Sequence, residues 1–359
     1  MIHTLHLTPC LCPDQLLDMG FRPDIERILR LLQPSCKTRQ TLLFSATIPD
    51  QVNEIASIAL RPSWHFVDTV GEDSEQTHLH VQQQLMISSQ EDVIRNLFCI
   101  LERETNNPPY KIIVFFVTAR LTQFCAELFN SVSSQTGYRV LEIHSRKAQK
   151  ARERASEQFR KNKNAIMFSS DVTARGMDYP DVTFVLQVGL TDRSQYIHRL
   201  GRTARAGKVC FHLTVCYSAF QHEYKTLLTL ILPHCFSQDG KGGLLLADYE
   251  EHWMTKRELK DMPLVPMEVP QSTKAVNAAN QAIQNVSKNE KLGMSAEQAY
   301  RAWLGYYNGH LKKVRWDKKQ LVAQANAWGS EVGIAEQPSL LKKTVGKMGL
   351  KGTPGLKLE

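Results

Sequence analysis

The chain has 359 residues, of which 42% are hydrophobic and 22% charged, and its formal net charge is +8. This length suits roughly two or three domains, and the apolar fraction is ordinary for a globular protein with a sizeable core. No apolar run approaches the roughly 18 to 20 residues that a bilayer-spanning helix needs, which argues against a membrane protein. The positive charge suits a polyanionic partner, although it also serves solubility.

The cysteines and the first residues bear on the compartment. No C-x-x-C pair occurs among the 8 cysteines, which argues against a zinc ribbon. Cys210 and Cys216 lie in an apolar run, where they suit small buried side chains. A reducing, intracellular compartment is therefore expected, with mitochondrion, nucleus and cytoplasm all open. The first residues lack the basic start and long apolar core of a signal peptide.

The first zone, residues 1–65, is predicted to contain a helix, a strand and a second helix. Apolar residues recur at helical spacing in DQLLDMGFRPDIERILRLL, which begins at Asp14. TLLFSAT is a short apolar run that predicts a buried strand, and Ile48 to Leu60 predicts the next helix. Since one strand is too little for a sheet of its own, this zone is expected to be loosely held. Residues 66–80 are polar and are interpreted as a linker.

Strands and helices alternate through the second zone, residues 81–232. The predicted strands are KIIVFF, YRVLEIH, AIMFSS, TFVLQVG and VCFHLTVCY. The predicted helices are ARLTQFCAELFNSV, KAQKARERASEQFRKN, SQYIHRLGRTARAG with a C-cap at Gly207, and AFQHEYKTLLTLIL. This alternation predicts right-handed βαβ units and an α/β fold with a mainly parallel sheet covered on both faces.

The third zone, residues 233–359, is predicted to be a mainly helical extension with a basic tail. SAEQAYRAWLGYYNGH and WDKKQLVAQANAWGSEVG suit helices, and the proline-containing DMPLVPMEVPQS suits a connector. Strand signals fade in this zone. The tail KKTVGKMGLKGTPGLKLE is basic and contains several glycines, which predicts an extended or mobile segment.

The arginines of QYIHRLGRTARAG are candidates for phosphate contact. On a helix, Arg199, Arg202 and Arg205 would lie three residues apart along nearly one face. Neighbouring guanidinium groups repel each other unless an anion compensates, and their paired donors match phosphate oxygens. A phosphate-facing row that includes arginine fingers for phosphoryl transfer is one interpretation, and a solvated basic helix face is the other.

The stretch SSDVTARGMDYPDV follows a predicted buried strand and contains Asp171, Arg175, Gly176 and Asp178. Loops at the carboxyl ends of parallel strands are where open α/β sheets bind ligands. Gly176 can adopt backbone conformations that other residues resist. An ordinary loop in which Asp171 caps a helix is the alternative.

Two further stretches are weaker candidates. HSRKAQKARERASEQFRKNKN has a surplus of six positive charges, eight basic residues minus two acidic ones. It suits either a phosphate contact at a helix start or a solubilising surface helix. Ser45, Ala46 and Thr47 end a predicted strand, where hydroxyl groups bridge to a facing domain or cap the next helix. The phosphate-binding motif G-x-x-x-x-G-K-[ST] is absent from the sequence.

Taken together, and in the order in which they occur along the chain, these stretches closely resemble the DEAD-box ATP-dependent RNA helicases. SAT is similar to motif III of that family, VFFVT to motif IV, QKAR to its Q-x-x-R motif, SSDVTARGMD to motif V and HRLGRTAR to motif VI. The resemblance covers roughly residues 14–230. It implies a RecA-like fold, with a remnant of the first domain in residues 1–65 and a complete second domain in residues 81–232.

The resemblance also implies roles for individual residues. Arg202 and Arg205 would be arginine fingers, and His198 would couple to motif III. Gly176 and Asp178 would lie at the nucleotide, with Asp178 contacting its ribose. The residues on the RNA side would be Thr118, Arg146, Gln149, Arg152 and Ser170, where Ser170 replaces the more usual threonine. ATP and Mg²⁺ would serve the full-length family, and RNA, as a single strand or short duplex, would be bound with little sequence preference.

The third zone resembles the extension of a subgroup that includes mitochondrial RNA-splicing and RNA-chaperone helicases. Its aromatic side chains are Trp303, Tyr306, Tyr307 and Trp316, and the neighbouring cations are Lys312, Lys313, Arg315, Lys318 and Lys319. Such a mixture suits stacking and phosphate contact in single-stranded RNA. For most of the aromatic residues, we expect packing onto the preceding domain instead.

The strongest departure from the family is at Leu11, Cys12 and Pro13. The family has Asp-Glu-Ala-Asp at these positions and the next, and only the last acid remains, as Asp14. We therefore expect no complete metal site and no ATP hydrolysis by this chain alone. Two hypotheses follow: an N-terminally truncated helicase, or an RNA-binding module that acts without ATP. A DNA helicase would share the two-domain plan, but SAT with HRLGRTARAG favours the RNA-unwinding family. The oligomeric state stays open.

Overall fold

The computed structural model describes residues 7–11, 22–31, 40–44, 60, 81–171, 179–203, 240–269 and 272–359. The chain divides into two compact units, Met1–Glu75 and Gln76–Glu359. This division falls within the predicted linker. In the described part of the chain, no helix has both the length and the apolar composition that crossing a membrane requires.

The first unit contains a two-stranded parallel sheet. Strand β1 (Leu7–Leu11) pairs with β2 (Gln40–Phe44), and their last residues lie opposite each other. The prediction of a single strand in this zone is therefore wrong. LTPCL is a short run that Pro9 interrupts, and a proline argues against a strand when the sequence alone is considered.

One helix of the first unit is described. Helix α1 (Arg22–Leu31) has Asp24 in its first turn and Arg30 in its last, which the helix dipole favours. It lies inside the helix predicted from Asp14. The second predicted helix, from Ile48, lies outside the described residues, apart from Leu60.

A seven-stranded sheet forms the centre of the second unit, with strand order β5-β6-β4-β7-β8-β3-β9. Its strands are β3 (Gln82–Ser88), β4 (Lys111–Phe116), β5 (Val140–Ile143), β6 (Ala165–Ser169), β7 (Phe184–Val188), β8 (Lys241–Ala247) and β9 (Leu264–Pro266). Every neighbouring pair is parallel. The predicted α/β fold with a parallel sheet is confirmed.

Helices pack on this sheet and continue beyond it. Those between the strands are α2 (Val93–Thr105), α3 (Ala119–Asn130), α4 (Ser133–Thr136), α5 (Gln149–Lys161), α6 (Arg193–Leu200) and α7 (Asp248–Trp253). A 3-10 turn (Gln90–Asp92) precedes α2, and a π-helical turn (Met254–Glu258) follows α7. The extension consists of α8 (Thr273–Lys288), α9 (Glu290–Asn308), α10 (Leu311–Val314), α11 (Lys318–Glu331) and α12 (Lys342–Lys347).

Two hydrophobic clusters occupy the two faces of the sheet, because successive side chains of a strand point to opposite faces. In β4, Ile112 and Val114 belong to the larger cluster, whereas Ile113 and Phe115 belong to the smaller one. All of β4 is buried, which explains why its sequence is continuously apolar after the first residue. The larger cluster extends into the helices of the extension.

The sheet contains three strands that the sequence analysis does not predict, β3, β8 and β9, of which β9 lies in the stretch interpreted as a connector. β8 lies between β7 and β3, in the zone where strand signals fade. Its first residues, KGG, have the composition of a turn. A Cβ atom on Gly243 would lie 2.7 Å from the Phe184 ring, and one on Gly242 would collide with Leu200. These glycines are therefore explained by close neighbours in the folded unit, not by a turn.

The basic tail is folded, so the prediction of an extended or mobile tail is wrong. Lys318 of α11 donates to the Gly349 carbonyl at 2.7 Å, and Asn326 donates to the Gly355 carbonyl at 2.9 Å. Gly349 and Gly355 have φ values of 66° and 91°. The glycines that suggest mobility in the sequence thus allow the turns that dock the tail.

The chain leaves and re-enters the described part of the second unit at neighbouring points. The Thr203 hydroxyl donates to the Val182 carbonyl at 2.7 Å. The Lys241 amide donates to the carbonyl of the next residue, Thr183, at 3.0 Å. A few residues are therefore enough to join these ends. The predicted strand VCFHLTVCY and the helix predicted after it fall between them, outside the described residues.

Deleting Gly242–Ala247 removes β8, the strand between β7 and β3, and is expected to abolish cooperative unfolding of the second unit, because both neighbouring strands lose their backbone partner. Urea unfolding of the deletion variant and of the intact chain, followed by circular dichroism, measures this. A cooperative transition at an unchanged midpoint in the deletion variant would contradict the prediction.

Candidate functional site

Three neighbouring strands end at one edge of the sheet, and the predicted RNA-side residues follow them. β5, β6 and β4 are adjacent and parallel, so their carboxyl ends meet at the same edge. The residues that follow are Thr118 after β4, Ser170 after β6, and Arg146, Gln149 and Arg152 after β5. We call this set the carboxyl-edge cluster. Each of the predicted RNA-side residues thus follows a strand that ends at this edge.

The side chains of the carboxyl-edge cluster have unused hydrogen-bonding capacity. Thr118 caps α3 by accepting from the Leu121 amide at 3.2 Å, so its hydroxyl hydrogen can donate. Gln149 is exposed and donates to Glu153 at 2.9 Å, which leaves its carbonyl oxygen able to accept. The buried Nε of Arg152 has no hydrogen-bond partner among the described residues. A ligand with both donors and acceptors would satisfy these groups.

An ion pair fixes the loop that presents Arg146. The Lys147 ammonium lies 2.5 Å from one oxygen of Glu142, and Nε2 of the buried His144 lies 3.4 Å from the other. Burial acts to raise the pKa of Glu142, but its interactions with His144 and Lys147 outweigh this and lower the pKa below its ordinary value. The ionised Glu142 therefore holds the loop in place.

Arg120 is a residue of this edge that the sequence analysis missed. It follows Thr118 by two positions and donates to Gln123 at 2.9 Å. Burial and, after it, the nearby Arg146 lower the pKa of Arg120. Arg146 therefore lies close enough to disfavour the charge on Arg120, and the two guanidinium groups add positive potential at this edge. Its position just after a predicted strand end is a signal that could have identified it.

The predicted arginine row does not exist as a helix face. Helix α6 ends at Leu200, and Gly201 is its C-cap. Arg202 follows in a tight turn, where its amide donates to the Arg199 carbonyl at 3.0 Å. Its Nε donates to the His198 carbonyl at 3.3 Å. The prediction of a helix up to Gly207 is wrong, because an earlier glycine ends it.

Arg199 is buried in the protein and has no phosphate-facing position. It is 1% exposed, and its guanidinium donates twice to one oxygen of Asp171, at 2.9 and 2.5 Å. It also donates to Gln187 at 3.4 Å and lies 5.3 Å from the centroid of the Phe115 ring. Its partner Asp171 is the acid that the sequence offers as a ligand or a helix cap. The structure shows instead an ion pair that joins the end of β6 to α6.

The other predicted site residues are divided between described and undescribed parts of the chain. His198 is buried on α6, and Arg202 is half-buried beside it. The predicted residues outside the described part are Asp14, Ser45, Ala46, Thr47, Arg175, Gly176, Asp178 and Arg205. Within the described residues, no group of three or more His, Cys, Asp or Glu side chains could hold a metal ion.

The aromatic residues of the extension pack within the second unit, as expected for most of them. Trp303 and Tyr307 are buried, with ring centroids 4.3 Å apart. Trp316 lies 4.5 Å from Tyr249 of α7. These rings join the extension to the helix that follows β8. They are not an exposed platform on which RNA bases could stack.

The neighbouring cations have varied surroundings. Lys313 lies 5.3 Å from the Trp253 ring centroid and 3.8 Å from Glu258. Arg315 contacts His252. Lys312 and Lys319 are exposed and add positive charge to the surface of the extension.

Comparisons with known proteins agree with this fold and these motifs. A family model described as the helicase conserved C-terminal domain matches residues 90–207, and one described as the DEAD/DEAH box helicase matches residues 13–55. DEAD-box ATP-dependent RNA helicase 31 of Arabidopsis thaliana is 42% identical over 347 residues, which cover 96% of this chain and 42% of that protein. DEAD-box ATP-dependent RNA helicase 26 of Oryza sativa subsp. japonica is 40% identical, with 96% and 56% covered. The chain thus spans about half the length of these relatives.

Solved structures show the same fold. DEAD-box helicase Mss116 bound to ssRNA and UDP-BeF has a TM-score of 0.73 and 21% identity, covering 98% of this chain and 66% of that one. Dbp5 of S. cerevisiae bound to RNA and ADP BeF3 has a TM-score of 0.56 and 19% identity, covering 79% and 64%. The likeness confirms the RecA-like helicase fold.

Replacing Asp171 by alanine is expected to destabilise the second unit by about 2 kcal/mol, because it leaves the buried Arg199 guanidinium without its carboxylate. Asp171→Asn retains one acceptor and should cost less. The matched control is Asp261→Ala, which breaks the surface pair with Arg193 at 3.8 Å and should cost less than about 0.5 kcal/mol. Urea unfolding measures all three, and equal losses for Asp171→Ala and Asp261→Ala would contradict the prediction.

Proposed function

We propose that this chain contains the part of a DEAD-box ATP-dependent RNA helicase that binds RNA and completes the ATP site. The comparisons strongly support that family. The observation that supports this proposal most directly is the carboxyl-edge cluster. It gathers hydroxyl, amide and guanidinium groups from three separate segments at one edge of a parallel sheet.

The chemistry of the carboxyl-edge cluster suits an RNA backbone. Guanidinium groups pair with phosphate oxygens, and hydroxyl and amide groups pair with phosphates and 2′-hydroxyls. Arg146 and Arg152 would bind phosphate, and Arg120 would add to their positive potential. Thr118 and Ser170 would contribute hydroxyl groups. Since none of these groups selects a base, binding would tolerate many sequences.

The ATP side of the proposal involves α6 and the residues after it. Arg202 and Arg205 would approach the transferred phosphate, and His198 would transmit the state of that site to motif III, Ser45 to Thr47. Asp178 and Gly176 would lie at the nucleotide. In the family, ATP is the substrate and Mg²⁺ offsets the charge of its phosphates. Of the four positions at which the family has Asp-Glu-Ala-Asp, this chain has an acid only at Asp14. We therefore assign no step of the reaction to a metal ion.

The finer family placement is also a proposal. Membership in the subgroup with a helical basic extension is supported by α8 to α12, which pack on the second unit, and by the fold likeness to Mss116 over 98% of the chain. Exposed Lys312 and Lys319 would extend the electrostatic attraction for RNA. A reducing intracellular compartment stays a prediction.

A second candidate function is RNA binding without ATP hydrolysis. It is favoured by the absence of G-x-x-x-x-G-K-[ST] from residues 1–359. The backbone amides and lysine of that motif hold the phosphates that phosphoryl transfer requires. The two candidates share the RNA face and differ only in the need for ATP.

Residues 1–359 are expected to bind single-stranded RNA with an affinity that falls as salt rises. Arg152→Ala and Arg146→Ala should each weaken binding about fivefold to tenfold, and each should reduce the slope of log affinity against log salt by about 0.7. Lys161→Ala is the matched control, because Lys161 has the same charge at the opposite end of α5. Fluorescence anisotropy with labelled RNAs of different sequence measures this. An equal loss for Lys161→Ala would reject the carboxyl-edge cluster as the RNA face.

The same protein is expected to release no phosphate from ATP above the blank, with or without RNA and Mg²⁺. The physical reason is that no segment of its sequence supplies the phosphate cradle. A malachite-green assay under saturating RNA measures it, with Arg202→Ala as the control for contaminating ATPase. RNA-stimulated hydrolysis that Arg202→Ala abolishes would contradict this prediction and favour a complete enzyme.

A further inference from the structure

We call residues 193–203, which comprise α6 and the turn that carries Arg202, the arginine-bearing segment. The loop between β7 and α6 determines where this segment begins. We define it as the approach loop, Gly189 to Asp192. Gly189 has a φ of 90°, and Asp192 caps α6 by accepting from the Gln195 amide at 2.7 Å. Because α6 starts at the next residue, any shift of this loop displaces His198 and Arg202.

Both backbone groups of Leu190, in the middle of the approach loop, are held by other parts of the unit. Its amide donates to Glu250 Oε1 at 3.0 Å. Its carbonyl accepts from the Tyr306 hydroxyl at 3.1 Å. Leu190 is also buried. These two directional contacts, one on each of the peptide groups that flank Leu190, restrict the orientation of the loop backbone as well as its position.

The extension reaches Leu190 a second time through Glu250. The Tyr307 hydroxyl donates to the same oxygen of Glu250 at 2.6 Å, and the other oxygen accepts from the Ala247 amide at 2.9 Å. Glu250 is 1% exposed, so these three donors replace the water that a carboxyl normally binds. Tyr307 therefore holds the group that holds the approach loop.

A third contact fixes the first residue of α6. The Arg193 amide donates to Glu258 Oε2 at 3.2 Å, and the other oxygen of Glu258 accepts from Trp253 at 2.8 Å. Lys313 of the extension lies 3.8 Å from Glu258. The start of α6 is thus connected to the extension at several points.

We propose that Tyr306 and Tyr307 are positioning residues for the arginine-bearing segment, and that the extension sets the position of α6 through the approach loop. The consequence for ATP hydrolysis rests on the proposed function. The positioning itself does not, because it concerns contacts within the second unit.

The pKa of Glu250 depends on these contacts, so it can be used to detect their loss. Burial raises the pKa of Glu250 to about 7, while hydrogen bonds from Tyr307, Ala247 and Leu190 act to lower it. The other titratable or charged groups that act on this carboxyl or on its tyrosine neighbours are Asp171, Asp192, Arg199, Asp248, Tyr249 and Glu331. Removing the Tyr307 hydroxyl removes a contact that lowers the pKa, so the pKa of Glu250 should rise in Tyr307→Phe.

Hydrogen–deuterium exchange of the full chain tests the positioning. Tyr306→Phe and Tyr307→Phe should each speed exchange of peptides from residues 189–203 about threefold to tenfold. The matched control is Tyr300→Phe on the same helix, because the Tyr300 hydroxyl donates to Asn326 within the extension at 2.7 Å. It should leave residues 189–203 unchanged. No change in the two variants, or an equal change in the control, would overturn the proposal.

A pH titration separates positioning from general destabilisation. In protein with ¹⁵N-labelled leucine, the Leu190 amide resonance should titrate with Glu250, and Glu250→Gln should abolish the titration. Its midpoint should rise in Tyr307→Phe and stay unchanged in Tyr300→Phe. An unchanged midpoint in Tyr307→Phe would overturn the link through Glu250.

Measuring RNA binding by the unaltered chain and by Tyr307→Phe distinguishes a failure of this proposal from a failure of the proposed function. Tyr307→Phe should bind RNA as the unaltered chain does, because the carboxyl-edge cluster lies after other strands. If the unaltered chain fails to bind RNA, the proposed function is overturned, while the exchange comparison still decides the positioning role. If Tyr307→Phe alone loses RNA binding, the assignment of Tyr307 to the arginine-bearing segment is overturned.

Discussion

The parallel pairing of β4 with β6 on one side and β7 on the other is the constraint on which both parts of the candidate site depend. In this register, Phe115 lies opposite Ser169 and Gln187. The three strands run in one direction, so the residues that follow them emerge together. Thr118, Ser170 and the approach loop are neighbours for this reason, although they are far apart in the sequence. Reversing any one strand would send its loop to the opposite edge.

Arg199 connects the two parts across this edge. Its side chain lies over Phe115 of β4 and donates to Asp171 after β6 and to Gln187 of β7. A buried guanidinium that lost its carboxylate would carry an uncompensated charge. The ion pair therefore joins the end of β6 to helix α6. The proposed RNA face and the arginine-bearing segment thus share one buried ion pair.

The sequence predicts those features whose cause is local. β4 is continuously apolar after its first residue because both of its faces are buried, and α5 shows helical spacing with most of its basic residues exposed. β8 was not predicted because the reason for its glycines is the close approach of Phe184 and Leu200, which lie elsewhere in the chain.

The same distinction between local and long-range causes applies to the residues of the candidate site. The members of the carboxyl-edge cluster were predicted from the resemblance to the helicase family, and all of them follow strands whose apolar sequences predict them. The arginine row was wrong because spacing indicates a helix face only where the helix continues, and α6 stops at Gly201. The pairing of Arg199 with Asp171 joins positions 28 residues apart, so residue spacing within one helix does not reveal it. Long-range polar contacts of this kind depend on the tertiary structure, which the local pattern leaves undetermined.

The contacts of the extension show why its aromatic residues have two separate roles. The rings of Trp303 and Trp316 contribute apolar packing, which is strong but tolerates small shifts between surfaces. The hydroxyl groups of Tyr306 and Tyr307 contribute little area, but their hydrogen bonds depend on distance and angle. They converge on Leu190 and Glu250, where a shift would leave buried polar groups unpaired. Packing thus holds the extension against the rest of the second unit, and the tyrosine hydroxyl groups determine the position in which the extension holds the start of α6.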